Sequence, residues 1–380
     1  MPKVIGPRLH AIAANVIRNA TRERPADAVL RDMLRADPTL AKGDRRIISR
    51  AVFAYYRWKQ LLPREAPIQG RLAVALDWQE RFTRNPFSVP VELLARKAVP
   101  RWVEEQLTFR PEWLRWLQHE PRLWLRVRPG QAKALEAKLH DTKRSRLPML
   151  RDAVEYTGRK DLFAHDGFVA GDFELQDIAS QAVSVLCAPK PGESWWDVCA
   201  GEGGKALHLA DLMENKGSIL ATDRAGWRLQ RLITRAARAK VTICRTQEWD
   251  ATADLDGPAD FDGALVDAPC SGLGTWQRNP HARWTTSRHD VVELVPVQQN
   301  LLVRAAAKIK PGGRLVYAVC TLTRDETTGV SDHFDRSVAG FEPVPFGNPF
   351  NELIPAAPRM LLAPNETGGN GMFVAMWRRL

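Results

Sequence analysis

Residues 194–205 read SWWDVCAGEGGK, an apolar segment that runs directly into a glycine-rich loop. The next segment, KALHLADLM, has the apolar spacing of a helix. Glycines between a strand and a helix let the backbone approach a ligand closely at the helix N-terminus. The order strand, glycine loop, helix therefore predicts the first unit of a ligand-binding parallel sheet.

The same alternation of strand and helix continues to the end of the chain, as expected for a parallel α/β sheet. The predicted pattern resembles the sheet of Rossmann-like class I methyltransferases, mostly parallel and seven-stranded, over residues 171–380. The further strands are predicted in SILATDRA, VTICRTQEWD, FDGALVDAPC, GRLVYAVCTL, FEPVPF and GMFVAMWRR.

Two smaller domains are predicted before this sheet, since 380 residues suffice for two or three domains. Residues 1–120 read as helices, and GDRRIISRAVFAYYRW sets Ile48, Val52, Tyr55 and Tyr56 on one apolar face. Residues 121–170 change to a pattern of strand, helix and strand, which predicts a small α/β unit that links the two larger domains and binds RNA.

The charge of the chain indicates a nucleic-acid partner. Lys and Arg number 55 against 44 Asp and Glu, for a net charge of +11, and residues 1–60 carry 13 basic and 5 acidic side chains. Arginine suits planar, bidentate contacts with phosphate, so Arg45, Arg46 and Arg50 are predicted phosphate contacts. The alternative is a basic surface that only confers solubility.

Cysteine usage and hydropathy bear on the compartment. Five cysteines at scattered positions, with no CxxC pair, argue against a disulfide framework and a zinc site. No apolar run approaches the roughly 18 residues of a membrane span, and the first residues do not form a secretory signal. We expect a cytoplasmic monomer with reduced thiols, no metal and no membrane partner.

The glycine loop and one acidic residue favour a nucleoside cofactor. Asp223 ends the second strand, where a carboxylate can accept hydrogen bonds from both ribose hydroxyls. The run AGEGGK lacks the GxGxxG spacing of NAD-binding loops, and no GK[ST] follows a four-residue gap. S-adenosylmethionine has no phosphates and tolerates a different glycine spacing.

Two cysteines end neighbouring predicted strands. Cys270 ends the fourth strand and Cys320 the fifth, so both belong to the C-terminal edge of the sheet, where ligands bind. Parallel strands lie about 5 Å apart, so the two thiols are predicted to face one substrate. For a lone Pro-Cys, the alternative is ordinary packing of a small apolar side chain.

Three motifs, DVCAGEGGK, DAPCSGLGTWQRNPHARW and VYAVCTL, resemble those of the Sun/RsmB (NOP2/Sun) family of RNA cytosine-5 methyltransferases. The helical stretch GDRRIISRAVFAYYRW resembles the RNA-binding domain of NusB-type antitermination factors. The resemblance implies S-adenosylmethionine as cofactor and 5-methylcytosine as product, with ribosomal RNA favoured and transfer RNA as the alternative substrate. A non-catalytic RNA-binding ribosome assembly factor is the alternative of a different class.

The resemblance also implies roles for individual residues. Cys320 is the expected nucleophile toward carbon 6 of the base, Cys270 assists product release, and Asp267 hydrogen-bonds the base. Asp254 competes with Asp250 for the place beside the adenine. The cofactor-binding residues implied in this way are Cys199, Ala200, Gly201, Glu202, Gly203, Gly204, Lys205, Asp223, Arg228, Asp250 and Asp267.

Two positions depart from the family pattern. The family has Ala-Pro-Gly-Gly-Lys where this chain has Gly201-Glu202-Gly203-Gly204-Lys205, which adds a carboxylate to the loop. Val319 stands where the family usually has threonine before the nucleophile. The remaining cysteines, Cys187 and Cys244, are expected to pack in the core.

Overall fold

The computed structural model describes residues 6–255 and 260–380. Their contacts divide them into two compact units, one reaching to residue 121 together with Thr275–Asp290, the other comprising Arg122–Gly274 and Val291–Leu380. The segment Thr275–Asp290 thus packs with the N-terminal helices although it follows Cys270 in sequence. The predicted boundaries at residues 120 and 170, and the likeness of the first domain to NusB, stay predictions.

The first unit is helical. The face predicted for the third helix is confirmed, because Ile48, Val52, Tyr55 and Tyr56 are all buried. Prolines begin several of these helices, as expected from a ring that fixes φ and lacks an N–H. The helices are α1 (Pro7–Asn19), α2 (Ala26–Ala36), α3 (Lys42–Trp58), α4 (Ile68–Arg84), α5 (Val91–Lys97) and α6 (Pro111–Trp116).

One buried guanidinium serves the C-terminal ends of three of these helices. Arg283, which is fully buried, donates to the carbonyl of Ala98 after α5 at 3.0 Å and to that of Leu117 after α6 at 2.9 Å. It also lies 3.5 Å from the carbonyl of Arg57 at the end of α3. The last carbonyls of a helix lack partners within it and favour a cation, so Arg283 satisfies all three ends.

Two of the arginines predicted to contact phosphate are engaged inside this unit. Arg45 donates to the carbonyls of Leu34, Asp37 and Leu40 at 2.7–3.1 Å. Arg50 pairs with Glu120 at 2.8 Å. The predicted phosphate contact does not fit Arg45, because its donors are occupied by the backbone.

The second unit begins with a small antiparallel sheet of order β2-β3-β1-β4. Two helices accompany it, and its buried Trp124 packs in the same apolar cluster as the larger sheet that follows. Its elements are β1 (Leu123–Val127), α7 (Ala132–Lys138), β2 (Thr142–Arg144), β3 (Ala153–Tyr156), α8 (Asp166–Val169) and β4 (Phe173–Leu175).

The large sheet confirms the predicted fold class. Its continuous order is β10-β12-β9-β8-β5-β6-β7, and β11 pairs only with β12. Strands β5 to β9 are parallel, whereas β12 runs antiparallel to β9. The strands are β5 (Ser194–Asp197), β6 (Ser218–Asp223), β7 (Cys244–Glu248), β8 (Phe261–Asp267), β9 (Ile309–Val319), β10 (Phe341–Pro343), β11 (Arg359–Leu362) and β12 (Met372–Arg379).

Helices cover both faces of this sheet, and the strand alternation feeds two cores. On β5, Trp195 packs in one apolar cluster and Trp196 in the other, as successive side chains of a strand must. In the described part of the chain no helix is long and apolar enough to cross a membrane. The helices are α9 (Ile178–Cys187), α10 (Gly204–Leu212), α11 (Gly226–Arg238), α12 (Arg288–Ala307), α13 (Val330–Ser337) and α14 (Pro364–Thr367).

The strand order reverses between β5 and β8. From β5 the chain moves outward to β6 and β7, then returns to place β8 and β9 on the other side. In open α/β sheets, ligands bind at the carboxyl ends of the strands at such a reversal. The motifs predicted to carry the chemistry follow β5, β6, β8 and β9, so the fold brings them to one edge.

Candidate active site

The glycine loop between β5 and α10 has the tight turn that its sequence predicts. Gly203 has φ +83°, and a Cβ at this position would lie 2.4 Å from Cγ of Leu232. Any other residue would meet both backbone strain and a clash. Gly204 then begins α10, so the loop presents backbone N–H groups at a helix N-terminus.

Asp223, at the end of β6, is tied to this loop. Its side chain is almost fully buried, and Oδ2 accepts a hydrogen bond from the Gly201 N–H at 3.0 Å while Oδ1 accepts one from the Ala225 N–H at 2.9 Å. Nη1 of Arg228 lies 3.9 Å from Oδ2. The carboxylate is thus held at the rim of the loop, and its predicted contact with a ribose stays a prediction.

The other predicted cofactor residues lie around the same edge. Asp223 is paired in register with Glu248, so Asp250 follows β7 beside it; Asp250 is exposed and accepts from the Thr252 N–H at 2.9 Å. Asp254 instead pairs with Arg304 of α12 at 3.1 Å. The structure therefore brings Asp250, rather than Asp254, next to the end of β6.

The carboxylate of Glu202, which departs from the family pattern, forms an ion pair with Arg231. Nη1 of Arg231, on α11, lies 2.5 Å from Oε1 of Glu202, and Arg235 donates to the Glu202 carbonyl at 2.7 Å. The extra negative charge of the loop is therefore neutralised by α11. The loop keeps the turn at Gly203 despite this departure from the family pattern.

A lysine–aspartate pair joins the glycine loop to the end of β8. Nζ of Lys205 donates to Oδ2 of Asp267 at 2.7 Å. Burial is the largest single influence and by itself would lower the pKa of Lys205, but the charge and hydrogen bond of Asp267, together with Cys320 and Asp197, outweigh burial and the pKa is raised. The lysine is therefore a fixed cation at the edge of the sheet.

Asp197, at the end of β5, was not singled out by the sequence. It is fully buried and neither carboxylate oxygen has a hydrogen-bond partner of normal geometry, although the Ala206 amide makes a minor favourable interaction. Burial, and then the charges of Asp267 and Asp223, raise its pKa to about 7. Asp197, Asp223 and Asp267 lie at this edge with the cations Lys205 and, 3.9 Å from Asp223, Arg228. The three carboxyl groups can accommodate a cationic ligand such as S-adenosylmethionine.

The two predicted cysteines meet. Asp267 pairs in register with Ala318, so the loops that carry Cys270 and Cys320 leave adjacent strands side by side, and the two Sγ atoms are 3.4 Å apart. The Gly274 N–H donates to the Cys320 carbonyl at 3.0 Å. The hydrogen bond with Cys320, and then burial, raise the pKa of Cys270 well above its usual value.

A buried carboxylate missed by the sequence analysis holds both cysteine loops. Glu326 is fully buried and accepts hydrogen bonds from the Ser271 N–H at 2.8 Å and from the Thr323 hydroxyl at 2.7 Å. Nε2 of Gln298 donates to it at 3.0 Å and the Thr321 hydroxyl at 3.3 Å. Ser271 directly follows one cysteine and Thr321 the other, so one acid fixes both.

The remaining predicted positions have packing roles or unremarkable surroundings. Val319 is fully buried and pairs with Phe373 of β12. Cys187 is buried, as expected, whereas Cys244 at the start of β7 is only partly so. Burial raises the pKa of Cys199 well above its usual value. No cluster of three potential metal ligands occurs among residues 6–255 and 260–380.

Asp197→Asn should change how stability depends on pH. The pKa of Asp197 in the folded protein is raised to about 7. Below pH 4 the carboxyl group is protonated in both the folded and the unfolded protein. As the pH rises through 7, the folded protein must ionise a buried group and its free energy of unfolding falls. The variant should match the wild type at pH 4 and exceed its unfolding free energy at pH 8 by on the order of 3 kcal/mol. Urea denaturation across this range measures the difference.

Asp77 provides the matched control for that experiment, because it is an aspartate at the surface that pairs with Arg81. Asp77→Asn should leave the pH profile of unfolding unchanged, since a surface carboxylate contributes little. If Asp197→Asn showed the same profile as the wild type, Asp197 would not carry the unfavourable charge.

Glu326→Gln should destabilise the second unit by about 3 kcal/mol, because the amide turns one acceptor into a donor that faces other donors. Glu342→Gln is the control, since Glu342 is an exposed partner of Arg378 and its loss should cost under about 1 kcal/mol. Guanidinium denaturation measures both. Equal stability of the two variants would contradict a central role for Glu326.

Comparisons with known proteins place this site in a family. The family model described as 16S rRNA methyltransferase RsmB/F matches residues 184–378. A probable ribosomal RNA small subunit methyltransferase B of Synechocystis is 38% identical over 214 residues, covering 55% of this chain and 48% of the relative. The ribosomal RNA small subunit methyltransferase B of Salmonella typhi is 30% identical over 294 residues, covering 74% and 66%. The chain spans about half of the first relative's length.

Solved structures share the fold. The crystal structure of PH0851 covers 100% of both chains with a TM-score of 0.83 at 23% identity. A methyltransferase homolog protein from Pyrococcus horikoshii is 26% identical with a TM-score of 0.60, covering 71% of this chain and 90% of its own. NSun6 from the same organism, solved with SFG, has a TM-score of 0.59 at 19% identity, covering 70% and 93%.

The resemblance drawn from the three motifs is confirmed by these matches. The family model covers half of the chain and includes the glycine loop, both cysteines and Glu326. The chain belongs to the RsmB/F family of 16S rRNA methyltransferases.

Proposed function

We propose that this protein is an S-adenosylmethionine-dependent methyltransferase that forms 5-methylcytosine in ribosomal RNA through a covalent cysteine adduct. The observation that carries the proposal is the pair of thiols, Cys270 and Cys320, 3.4 Å apart near the partly buried Lys205–Asp267 pair. The names of the relatives, which are ribosomal RNA small subunit methyltransferases, support the choice of RNA.

The residues around the glycine loop suit the cofactor. The carboxylates of Asp223 and Asp267, with Asp197 partly ionised at neutral pH because its pKa is raised to about 7, would favour a sulfonium and an ammonium. Asp223 would accept the ribose hydroxyls, and the loop amides lie at the N-terminus of α10. S-adenosylmethionine supplies an electrophilic methyl group.

Cys320 is the nucleophile in this proposal. Carbon 5 of cytosine is a poor nucleophile, and addition of a thiolate at carbon 6 gives an enamine whose carbon 5 is reactive. One difficult step is thereby divided into two easier ones. The electrostatic interaction of Lys205 with Cys320 contributes to the raised pKa of the lysine, and the same positive charge would stabilise a thiolate at Cys320.

Cys270 has the opposite character. Its pKa is raised well above the usual value by the hydrogen bond with Cys320 and by burial, so it keeps its proton at neutral pH. Product release requires loss of the proton on carbon 5 and expulsion of the Cys320 thiolate, with the carbon–sulfur electron pair returning to sulfur. Cys270, whose Sγ lies 3.4 Å from that sulfur, would pass its own proton to the departing Cys320 thiolate. The Cys270 thiolate formed in this way would take up the proton from carbon 5, whose electron pair restores the double bond of the ring.

Asp267 would bind the base. Its Oδ2 accepts the hydrogen bond from Lys205, which leaves Oδ1 for the protonated ring nitrogen of a cytosine during thiolate addition. A paired base hides carbon 6 within its stack, so the target nucleotide must leave the helix before the reaction.

The two cysteines should give different outcomes on a denaturing gel with substrate RNA. Cys320→Ala should form no covalent adduct and no product, because the nucleophile is absent. Cys270→Ala should form the adduct and fail to release it. Cys244→Ala is the control and should retain turnover, because Cys244 lies at the start of β7, away from the reactive edge. A covalent band with Cys320→Ala would reverse the two roles.

Bisulfite sequencing should identify the RNA. Cells that contain the gene should show an unconverted cytosine in small-subunit ribosomal RNA that disappears when the gene is deleted and returns with the wild-type gene. The Cys320→Ala gene should not restore it. Loss of a site in the transfer RNA fraction instead would overturn the choice of ribosomal RNA, and an unchanged pattern in both fractions would contradict the proposed reaction.

A further inference from the structure

The helical unit contains a cavity of about 410 Å³ that the proposed chemistry does not use. This volume falls within the roughly 300–1,000 Å³ of ordinary ligand pockets. Its walls come from α2, α3, the segment Thr275–Asp290 and Pro121, which lies between α6 and β1. The lining residues are Asp27, Phe53, Arg57, Pro121, Arg278 and Asn279.

Arg57 is a buried cation without an anionic partner. Only 3% of it is exposed, and Nη1 donates to Oε1 of Gln79 at 2.9 Å. Its Nε is buried without any hydrogen-bond partner, and within the described chain no carboxylate pairs with it. Burial lowers its pKa to about 10, offset only in part by the charge of Glu120. Unpaired buried charge is unfavourable, so an anion in this cavity would be strongly stabilised.

Arg278 supplies a second guanidinium to the same cavity. It is exposed, and no ion pair to it occurs in the part of the chain that the structure describes. The half-buried Asn279 adds an amide donor. The acid of the lining, Asp27, is already paired with Arg31 at 3.3 Å. Two guanidinium groups with planar donor forks are the donors that phosphate oxygens match best.

The position of Arg278 in the chain favours a phosphate of the RNA strand that the thiols would act on. Arg278 follows Cys270 by eight residues and Gly274, whose N–H holds the Cys320 carbonyl, by four. A strand that presents its cytosine to the thiols carries its phosphates along with it. The eight residues from Cys270 to Arg278 can span at most about 29 Å, so the chain itself limits how far Arg278 can be from that strand.

We propose that this cavity is a phosphate-binding site for the RNA substrate, with Arg57 and Arg278 as its ligands. The proposal rests on the proposed function, because it takes RNA as the substrate. Contacts to phosphate position a nucleic acid without reading its sequence, so the site would set the register of the strand rather than choose the base.

The experiment measures binding of a fluorescent single-stranded oligouridylate at several salt concentrations. Arg278→Gln should weaken binding about tenfold at low salt and reduce the log–log salt slope by about 0.7, the value for one phosphate contact on a single strand. The control is Arg35→Gln on α2, an exposed arginine for which the described residues provide no ion pair. It should change neither quantity.

Two further arms test the chemistry. A peptide nucleic acid of the same bases, which has no phosphates, should bind wild type and Arg278→Gln equally. Inorganic phosphate, added at constant ionic strength, should compete with oligouridylate more strongly for wild type than for the variant.

Equal effects of Arg278→Gln and Arg35→Gln, or an unchanged slope, would overturn the site. Competition by inorganic phosphate with unchanged oligouridylate affinity would overturn the assignment to RNA and leave a site for a free anion. Methylation of small-subunit ribosomal RNA by the wild type is scored separately. Its absence contradicts the proposed function, whereas the binding results judge the cavity alone.

Discussion

A single buried carboxylate, that of Glu326, connects the two loops on which the candidate chemistry depends. A charge with no exposure to water is tolerated only when donors surround it, and those donors come from the residues that directly follow the two cysteines, together with Gln298 and Thr323. Any shift of one loop against the other would break hydrogen bonds to a buried charge. The contact between the two sulfur atoms is therefore maintained by an acid that is hydrogen-bonded to the residue after each cysteine.

The sheet and the glycine loop around this carboxylate could be predicted because short sequence patterns determine them. Strand segments such as SILATDRA and FDGALVDAPC combine β-branched and apolar residues with turn residues at their ends, and the structure has strands there as β6 and β8. The glycines predict the turn of this loop, since Gly203 adopts the left-handed backbone conformation that glycine tolerates. Strand ends in a parallel sheet share one edge, which is why Asp223, Cys270 and Cys320 could be assigned to one site.

What the sequence did not reveal depends on long-range contacts. Glu326 lies 55 residues from Ser271 along the chain, and nothing near it in sequence distinguishes it from a surface acid. Asp197 matters because of the partners it lacks, which no local pattern records. The short strand β11 (Arg359–Leu362) is a four-residue run that only its pairing with β12 defines. Arg45 was predicted to contact phosphate because it lies in a basic stretch, but its donors are hydrogen-bonded to backbone carbonyls of its own unit.

The position of Arg283 has a consequence for synthesis on the ribosome. Arg283 donates hydrogen bonds to carbonyls at the ends of helices that are complete by residue 117, yet it is translated more than 160 residues later. At about 5–20 residues per second, the nascent helical unit waits roughly 8–30 s for it. During that interval the ends of α3, α5 and α6 carry carbonyls that only water can satisfy. The N-terminal unit therefore cannot finish folding in the order in which it is translated, and its last contacts form only after β8 and the loop that carries Cys270 have been made.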